Sequence, residues 1–488
     1  MMRKRFMKGA SALAAAVALA VSLHVSEADA KAPDVYGGIM NEYEYEEVVF
    51  ITGQPVTFKG DSKAAKFTVS EKNDKRVETH SLKLVNADGD ELTRSFTYEF
   101  DVKSQSALGQ YTENGDVKSY KEEIVIDDVA YVLKDYQYSN SIWYDKLAAN
   151  TYYLGNATIR KIYETEVKQG TPKRIEVYVT SENSGYENFW GATETKLTDS
   201  VYVHEELGTY TVKNSVSKSR TKTLVYEESK PSLSNVPGGY LVTTNSDVLS
   251  EYKFDVPTMQ SAGALQLTTE YSTRNERLAV PKFRDLATHW AKEDIEKLYS
   301  LGVYEDESNF FSPGTPMMRY DFAVAVAKAI DSRVELQEPT KRNPTVKTLF
   351  DDVEVPKTAK ARADYSYFAS IVEKGVIRGE NGLFKPNNSL TRQQAAAIIV
   401  RALGMEHNAP DPGYKTSYAD DARIADYARD GVYIAQELGI MMGDPTTNMF
   451  NPYKPLTRGQ ASAIITRFLQ YLEEDLQQNY RDDVLLFN

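Results

Sequence analysis

The sequence predicts an α+β multidomain protein, in which an N-terminal all-β region of antiparallel, sandwich-like architecture is followed by an all-α region. Two observations carry this prediction. Residues 31–280 contain many short runs in which apolar and polar side chains alternate with a period of two. From about residue 281 the pattern becomes helical, and one unit of sequence recurs three times. A chain of 488 residues has room for about three domains.

The first thirty residues have the pattern of a secretory signal peptide. Residues 3–8 carry four basic side chains, residues 10–23 are almost entirely apolar, and Ala28-Asp29-Ala30 places small residues before a cleavage point. We therefore expect residues 1–30 to be removed on export. An uncleaved anchor is the alternative, although the apolar run is shorter than the about 20 residues of a membrane span. We expect no membrane partner after cleavage.

Composition argues against several classes of function. The chain contains no cysteine, which excludes disulfides, thiolate metal sites and thiol nucleophiles. Its five histidines are too few to favour a histidine-rich metal site or serine–histidine–aspartate catalysis. The formal net charge of −13, without a concentrated basic stripe, argues against nucleic acid as a partner. We predict no cofactor, no metal and no nucleic-acid partner.

Residues 31–280 form the predicted β-rich region, as one or two domains. Residues 96–102 and 175–179 alternate as half-buried strands do. Asp88-Gly89 and Asn114-Gly115 are typical turn pairs, and we predict that each ends a strand. Many short strands separated by such turns indicate antiparallel sandwiches or barrels. Residues 86–91 lack the full ligand spacing of a calcium loop, so we predict a hairpin turn there.

Three copies of one unit follow, at residues 281–335, 349–405 and 417–470, with a tail at 471–488. Each copy opens on an aromatic residue two positions before an aspartate, and then has a helical stretch that ends at a glycine. A Phe-x-Pro segment comes next, and an arginine lies six residues after its proline in all three copies. Such a recurrence at fixed offsets is the signature of a repeat architecture.

Each part of this unit has a physical interpretation. The aspartate can cap the coming helix through its carboxylate. The glycine lies where a helix commonly ends in a left-handed residue. The arginine falls in the first turn of the second helix, where free backbone N–H groups and the helix dipole favour an anion. Its guanidinium fork also matches a carboxylate.

Capping boxes are predicted at the start of the second helix in two copies. Thr391 with Gln394, and Thr457 with Gln460, have the spacing in which side chain and backbone cap each other. The first copy has Met318 at the equivalent position and therefore lacks the hydroxyl.

This arrangement resembles the S-layer homology domain in its triplicate form. In that family three repeats form a pseudo-threefold helical bundle, whose grooves bind secondary cell wall polysaccharide bearing pyruvylated sugars without a covalent bond. The resemblance implies a polysaccharide-binding role for the residues that match the family motif, which are Arg319, Arg392, Arg458, Asp285, Asp352, Asp420, Trp290, Tyr427, Gly302, Gly375 and Gly439.

The three copies depart from the family motif in different ways. No copy keeps the motif's glutamate after the arginine. In the second copy the aromatic position at the start of the first helix falls near Ala363, with Tyr365 close by. We therefore expect three grooves of unequal quality, in which the first or second is weak or only structural.

Two hypotheses of function remain open. We predict an exported, non-catalytic protein on the bacterial cell wall surface, an S-layer or S-layer-associated component, with self-association or S-layer proteins as further partners. The β-rich region contains no His-Glu-x-x-His, nucleophile-elbow or phosphate-loop motif. The alternative is a wall-anchored enzyme acting on glycan or peptidoglycan, because glycoside hydrolysis needs only two carboxylates roughly 5–10 Å apart.

Overall fold

A computed structural model describes residues 37–40, 43–72, 75–105, 109–166, 171–227, 239–280, 282–305, 308–334, 336 and 348–475. The predicted signal peptide, residues 1–30, lies outside these ranges, as does the tail beyond residue 475. The described chain is an antiparallel sheet followed by helices, which confirms the predicted fold class.

One antiparallel sheet contains the N-terminal strands. Within the described residues it has fifteen strands, namely β1(Ile39–Met40), β2(Glu44–Val49), β3(Val56–Asp61), β4(Ala65–Lys72), β5(Lys75–Val85), β6(Glu91–Gln105), β7(Gln110–Ile126), β8(Val129–Lys146), β9(Asn150–Glu166), β10(Arg174–Asn188), β11(Gly191–His204), β12(Gly208–Glu227), β13(Gly239–Val256), β14(Ser261–Glu270) and β15(Arg274–Leu278).

The sheet curls until its two ends nearly meet. Strands follow the chain order from β1 to β14, except that β3 pairs with β5, while β4 lies beside β5 and β15 beside β13. Strand β1 contacts β13 and β14. Side chains fasten this junction, because Ser250 Oγ and Tyr252 OH donate to the Gly37 carbonyl at 2.8 and 2.6 Å. The result is the predicted antiparallel, sandwich-like architecture.

The strands are longer than the sequence pattern predicts. The runs at 240–243 and 252–256, which are separate in the hydropathy pattern, are parts of the 18-residue strand β13. Residues 244–251 between them are mostly polar, yet they pair without interruption with β12. The backbone hydrogen bonds of a long neighbouring strand extend β13 where its side chains give little apolar signal.

One of the two predicted turns is confirmed and the other is wrong. Asp88-Gly89 forms the β5–β6 hairpin, where Asn86 Oδ1 accepts from the amides of Asp88 and Asp90 at 2.9 and 2.8 Å. Gly115 instead lies inside β7. A Cβ at Gly115 would come within 2.7 Å of the Phe100 ring, so this glycine makes room for an aromatic side chain on the adjacent strand.

The interior of the sheet contains a buried ion cluster, which we call the Arg94 cluster: Arg94, Glu47, Glu122 and Lys161. Arg94 donates to both carboxylate oxygens of Glu47 at 2.8 Å and also to Glu122. Lys161 Nζ lies 3.1 Å from Glu122. Burial opposes ionisation of Glu122, but Arg94 and Lys161 outweigh it and hold its pKa well below the usual range. Each charge is thus compensated inside the protein.

His80 is a buried histidine close to the Arg94 cluster. Its ring stacks on Phe96 at 4.3 Å between centroids and meets Phe67 edge-on at 5.2 Å. Its ring nitrogens have no hydrogen-bond partner among the described residues, although Nε2 lies 3.5 Å from a Glu78 oxygen. Burial, with smaller contributions from Arg94 and Arg76, lowers the pKa of His80 to about 4.

We expect His80 to make the sheet acid-labile. Because its pKa is lower in the folded chain than in the unfolded one, its contribution to stability is complete above about pH 6.5 and falls as the pH drops towards 4. Thermal unfolding of the full chain at pH 7 and pH 4.5 measures the loss. His80→Phe, which keeps an aromatic ring but cannot bind a proton, should show a smaller drop. An equal drop in both proteins would contradict this assignment.

The C-terminal part is helical. The second helix of each copy packs against the first helix of the next copy in a cycle, so that α2 contacts α3, α4 contacts α5 and α6 contacts α1. None of the helices in the described ranges is long and apolar enough to cross a membrane. The six α-helices among the described residues are α1(Lys292–Ser300), α2(Arg319–Ala329), α3(Ala359–Glu373), α4(Arg392–Leu403), α5(Asp426–Glu437) and α6(Arg458–Gln470).

Candidate functional site

A ring of backbone hydrogen bonds holds the three copies around a pseudo-threefold axis. The Met317 amide donates to the Leu456 carbonyl at 2.9 Å, Leu456 donates to Leu390 at 2.9 Å, and Leu390 donates to Met317 at 2.8 Å. These residues are two positions before each conserved-offset arginine, so the ring brings the three arginines to one end of the bundle. No copy can complete this ring alone.

Each of these arginines reaches across to the phenylalanine of the next copy's Phe-x-Pro segment. The distances from guanidinium carbon to ring centroid are 4.8 Å for Arg319 over Phe384, 4.8 Å for Arg392 over Phe450 and 4.2 Å for Arg458 over Phe311. Cation–π contacts of this kind orient a guanidinium while leaving its edge available. Sequence reasoning treated these phenylalanines as structural anchors, although their fixed spacing to the arginines was already a signal of a shared site.

The prediction of free helix-terminal amides beside the arginines is wrong. The amides of Arg392 and Gln393 donate to the carbonyls of Lys454 and Pro452, each at 3.1 Å. The same pattern recurs at α2 and α6, whose first two amides bind carbonyls of a neighbouring copy at 2.9–3.2 Å. The cyclic packing therefore uses these donors internally, and any anion at these positions must be bound by side chains.

The aspartates do not cap the following helices, as the sequence suggested. Asp352 accepts from the amides of Phe384 and Lys385 at 2.8 and 2.6 Å. Asp285 and Asp420 make the equivalent pair of bonds in their own copies. These amide bonds outweigh burial and hold the pKa of Asp285 and Asp352 below the ordinary value. Each carboxylate thus positions the Phe-x-Pro loop on which an arginine rests.

The predicted helix-ending glycines and capping boxes are confirmed. Gly302, Gly375 and Gly439 have φ values of +72°, +73° and +67°, the left-handed region in which a side chain is strained. The Thr391 amide donates to Gln394 Oε1 at 3.0 Å in one capping box, and the Thr457 amide donates to Gln460 at 3.1 Å in the other. The glycines shape the turns, and their polysaccharide-binding role remains a prediction.

The aromatic residues of the first helices differ among the copies. Trp290 is 64% exposed and Tyr427 is 51% exposed, so both offer an open ring face on the bundle surface. Tyr365 in the second copy is only 2% exposed and packs towards Phe368 at 6.1 Å between centroids. The second copy therefore has no exposed ring at this position to stack on a sugar.

The three copies together build a groove that we call the Arg319 groove: Arg319, Phe384, Tyr427 and Tyr453. Burial raises the pKa of Tyr427, while the nearby guanidinium of Arg319 opposes that rise, which places the two side chains near each other. Tyr453 also acts on Tyr427 and is 54% exposed. Arg319 comes from the first copy, Phe384 from the second and both tyrosines from the third.

The arginines differ in how far the protein itself uses their hydrogen-bond donors. Arg319 makes one hydrogen bond within the described chain, from Nε to the Phe384 carbonyl at 2.9 Å, so its terminal NH₂ groups can bind a ligand. Arg392 donates from Nε to Phe450 at 2.7 Å and from a terminal nitrogen to Met442 at 2.6 Å. The groove that includes the first-copy arginine therefore has the most available fork, despite the missing threonine at position 318.

Comparison with known proteins agrees with this architecture. Residues 282–323, 357–396 and 417–462 match the S-layer homology domain. The chain therefore carries three S-layer homology segments, as its sequence predicted. No group of three or more potential metal-ligating side chains occurs among the described residues.

Similar proteins include both enzymes and surface-layer proteins. An amylopullulanase of Thermoanaerobacterium thermosulfurigenes is 30% identical over 191 residues, which cover 38% of this chain and 9% of that relative. The surface-layer 125 kDa protein of Lysinibacillus sphaericus is 28% identical over 190 residues, covering 38% and 14%. An S-layer protein of Bacillus thuringiensis subsp. finitimus is 25% identical over 184 residues, covering 37% and 20%.

The chain thus matches a fifth or less of the length of these relatives. The likeness to glycosidases is confined to the S-layer homology region and gives no information on the sheet. The three segments, together with the surface-layer relatives, point to a secreted protein on the cell surface.

Proposed function

We propose that this protein is held non-covalently on the bacterial cell wall by binding pyruvylated secondary cell wall polysaccharide in its arginine grooves. In this proposal the sheet is a non-catalytic region that faces outward as an S-layer or S-layer-associated component. Further copies of the chain or other S-layer proteins are its additional partners. The observation that carries the proposal is the Arg319 groove, where a guanidinium with free NH₂ groups lies beside exposed tyrosines.

The chemistry of the ligand suits this groove. A pyruvyl ketal adds a carboxylate to a sugar, and a guanidinium binds a carboxylate through two parallel hydrogen bonds. Tyr427 and Tyr453 offer flat faces to the apolar side of a sugar ring. One such charged contact contributes about 1.5–3 kcal/mol, which is weak for an anchor. A polymer that engages a second groove on the same bundle gains effective concentration and is retained longer.

The carboxylate pair buried in the sheet does not suit the alternative of a glycan-cleaving enzyme. Glu47 and Glu122 share Arg94, and each has a fully buried side chain. A general acid in glycoside hydrolysis needs a raised pKa, whereas the pKa of Glu122 is lowered. Both carboxylates are also bound by tyrosine hydroxyls, from Tyr45 to Glu47 at 2.8 Å and from Tyr163 to Glu122. This pair therefore serves the fold and supports a non-catalytic sheet.

Sedimentation with purified cell wall sacculi tests the proposal. The full chain should sediment with native sacculi and stay in solution when their pyruvyl groups have been removed chemically. Added soluble polysaccharide should release it. Equal sedimentation with native and depyruvylated sacculi would contradict recognition of the pyruvyl carboxylate and would favour neutral-sugar binding by the tyrosines.

A further inference from the structure

We infer that the sheet is seated as a fixed body on the end of the helical bundle opposite the three arginines, and is not a module on a flexible tether. The seat is an intramolecular interaction surface formed by the C-terminal ends of α2, α4 and α6. Its occupant is the edge of the sheet where the β8–β9 and β10–β11 hairpins turn.

Contacts from the sheet reach all three helix ends. The Ala149 amide donates to the Ala402 carbonyl of α4 at 2.9 Å. Leu147 packs over Gly404, where an added Cβ would lie 2.5 Å from the leucine Cδ1. Asn188 Nδ2 donates to the Leu472 carbonyl, after α6, at 3.4 Å.

The third helix end is reached through a lysine of β12. Lys222 lies close enough to Asp331, just after α2, for the carboxylate to act on its pKa. The Lys222 ammonium rests on the Phe189 ring at 4.0 Å from the centroid. The threefold end of the bundle is therefore covered on each of its three sides.

One apolar core continues from the bundle into the sheet. Ala148, Ala149, Tyr186 and Trp190 of the sheet are buried in the same cluster as the bundle residues Ile330, Leu403, Tyr471 and Leu472. Separation of the two parts would expose this surface to water, which the hydrophobic effect opposes. A core shared in this way holds two parts in one orientation.

The connection between the two parts is also too short to act as a tether. Strand β15 ends at Leu278, and Phe283 is already buried in the bundle core. The four residues between them span at most about 14 Å when fully extended. Ser300 Oγ of α1 binds the Ala279 carbonyl at 2.9 Å, and Tyr240 OH binds the Glu293 carbonyl at 3.3 Å, so the sheet also follows the side of α1.

The seat and the arginines are one helix length apart. Each arginine is the first residue of its helix, and these helices contain 11, 12 and 13 residues. At a rise of about 1.5 Å per residue the separation is roughly 17–20 Å. If the arginines bind wall polymer, a consequence that rests on the proposed function, the sheet projects from the opposite end of the bundle.

Distance measurements between two spin labels test the fixed seating. The chain has no native cysteine, so labels attach only where cysteines are introduced. Thr180→Cys in β10 and Asn387→Cys in the loop at the arginine end are both exposed positions. In the full chain this pair should give one narrow distance distribution, as narrow as that of the control pair Asn387→Cys and Arg423→Cys within the bundle. A broad or multiple distribution beside a narrow control would overturn the inference.

A matched pair of substitutions tests where the seat lies. Leu147→Asp places a charge against Gly404 and should broaden the distribution between sheet and bundle while the circular dichroism spectrum is retained. Leu154→Asp, at an exposed leucine of the neighbouring strand, should leave the distribution unchanged. A distribution that stays narrow with Leu147→Asp would overturn the assignment of the seat. No polysaccharide is used, so failure here is distinguishable from failure of the proposed function.

Discussion

Arg319→Ala should weaken binding of soluble pyruvylated wall polysaccharide by about tenfold or more while the protein remains folded. Hydrogen bonds to a charged group contribute about 1.5–3 kcal/mol each, and tenfold in Kd corresponds to 1.4 kcal/mol. The internal bond lost is one donation from Nε to the Phe384 carbonyl, so the free energy of unfolding should change by about 1 kcal/mol or less. Calorimetric titration and thermal unfolding of the full chain measure the two effects.

Two further variants separate charge from geometry. Arg319→Lys keeps the positive charge but lacks the fork, and we expect an intermediate affinity. Arg274→Ala removes an equal charge from an exposed position on the sheet and should bind like the native protein. Native affinity in a folded Arg319→Ala protein would contradict the assignment of this groove. Arg392→Ala should cost more stability than Arg319→Ala, because Arg392 donates to two carbonyls of the bundle.

Arg94→Ala should destabilise the sheet by about 3–5 kcal/mol. Arg94 is 2% exposed and donates to both Glu47 oxygens and to Glu122, so its removal leaves carboxylates buried with Lys161 as the one remaining cation of the cluster. Breaking a buried ion pair by removing one partner is costly, because the other charge stays in a medium that solvates it poorly. Urea unfolding of the full chain, followed by the far-ultraviolet circular dichroism of the strands, measures the loss.

The cause of that loss is testable with a second substitution. Arg94→Met fills much of the vacated volume without restoring the charge, and we expect it to remain strongly destabilised. Arg174→Ala removes a surface arginine that pairs with Glu176 at 2.8 Å, and should change stability by about 1 kcal/mol or less. If Arg94→Ala unfolds at the same urea concentration as Arg174→Ala, the Arg94 cluster does not hold the sheet together.

The helical half was the more readable part of the sequence. Glycines at 302, 375 and 439 lie in the left-handed region because the helix before each of them ends there, a local requirement that the spacing already indicates. The capping boxes at Thr391 and Thr457 depend on residues three positions apart and are equally local. Threefold repetition of the pattern then predicts the number of copies and the equivalence of the arginines.

The sheet was less readable for a physical reason. Its strand lengths depend on pairing with neighbours, so Gly115 lies inside β7 although Asn114-Gly115 is a typical turn pair. The Arg94 cluster joins residues from β2, β6, β7 and β9, whose charges look solvent-exposed when each strand is considered alone. Contacts between distant strands carry no local signal.

By itself, the sequence determined the order of the two parts, the three helical copies and the chemistry of the arginines, because these follow from short-range periodicity and fixed offsets. Tertiary structure alone decided that the aspartates hold loops instead of capping helices and that the first helix amides are spent on neighbouring copies. It also decided that Arg319 rests on Phe384 near Tyr427. Cyclic packing creates each of these contacts between different copies, so no single copy of the sequence contains them.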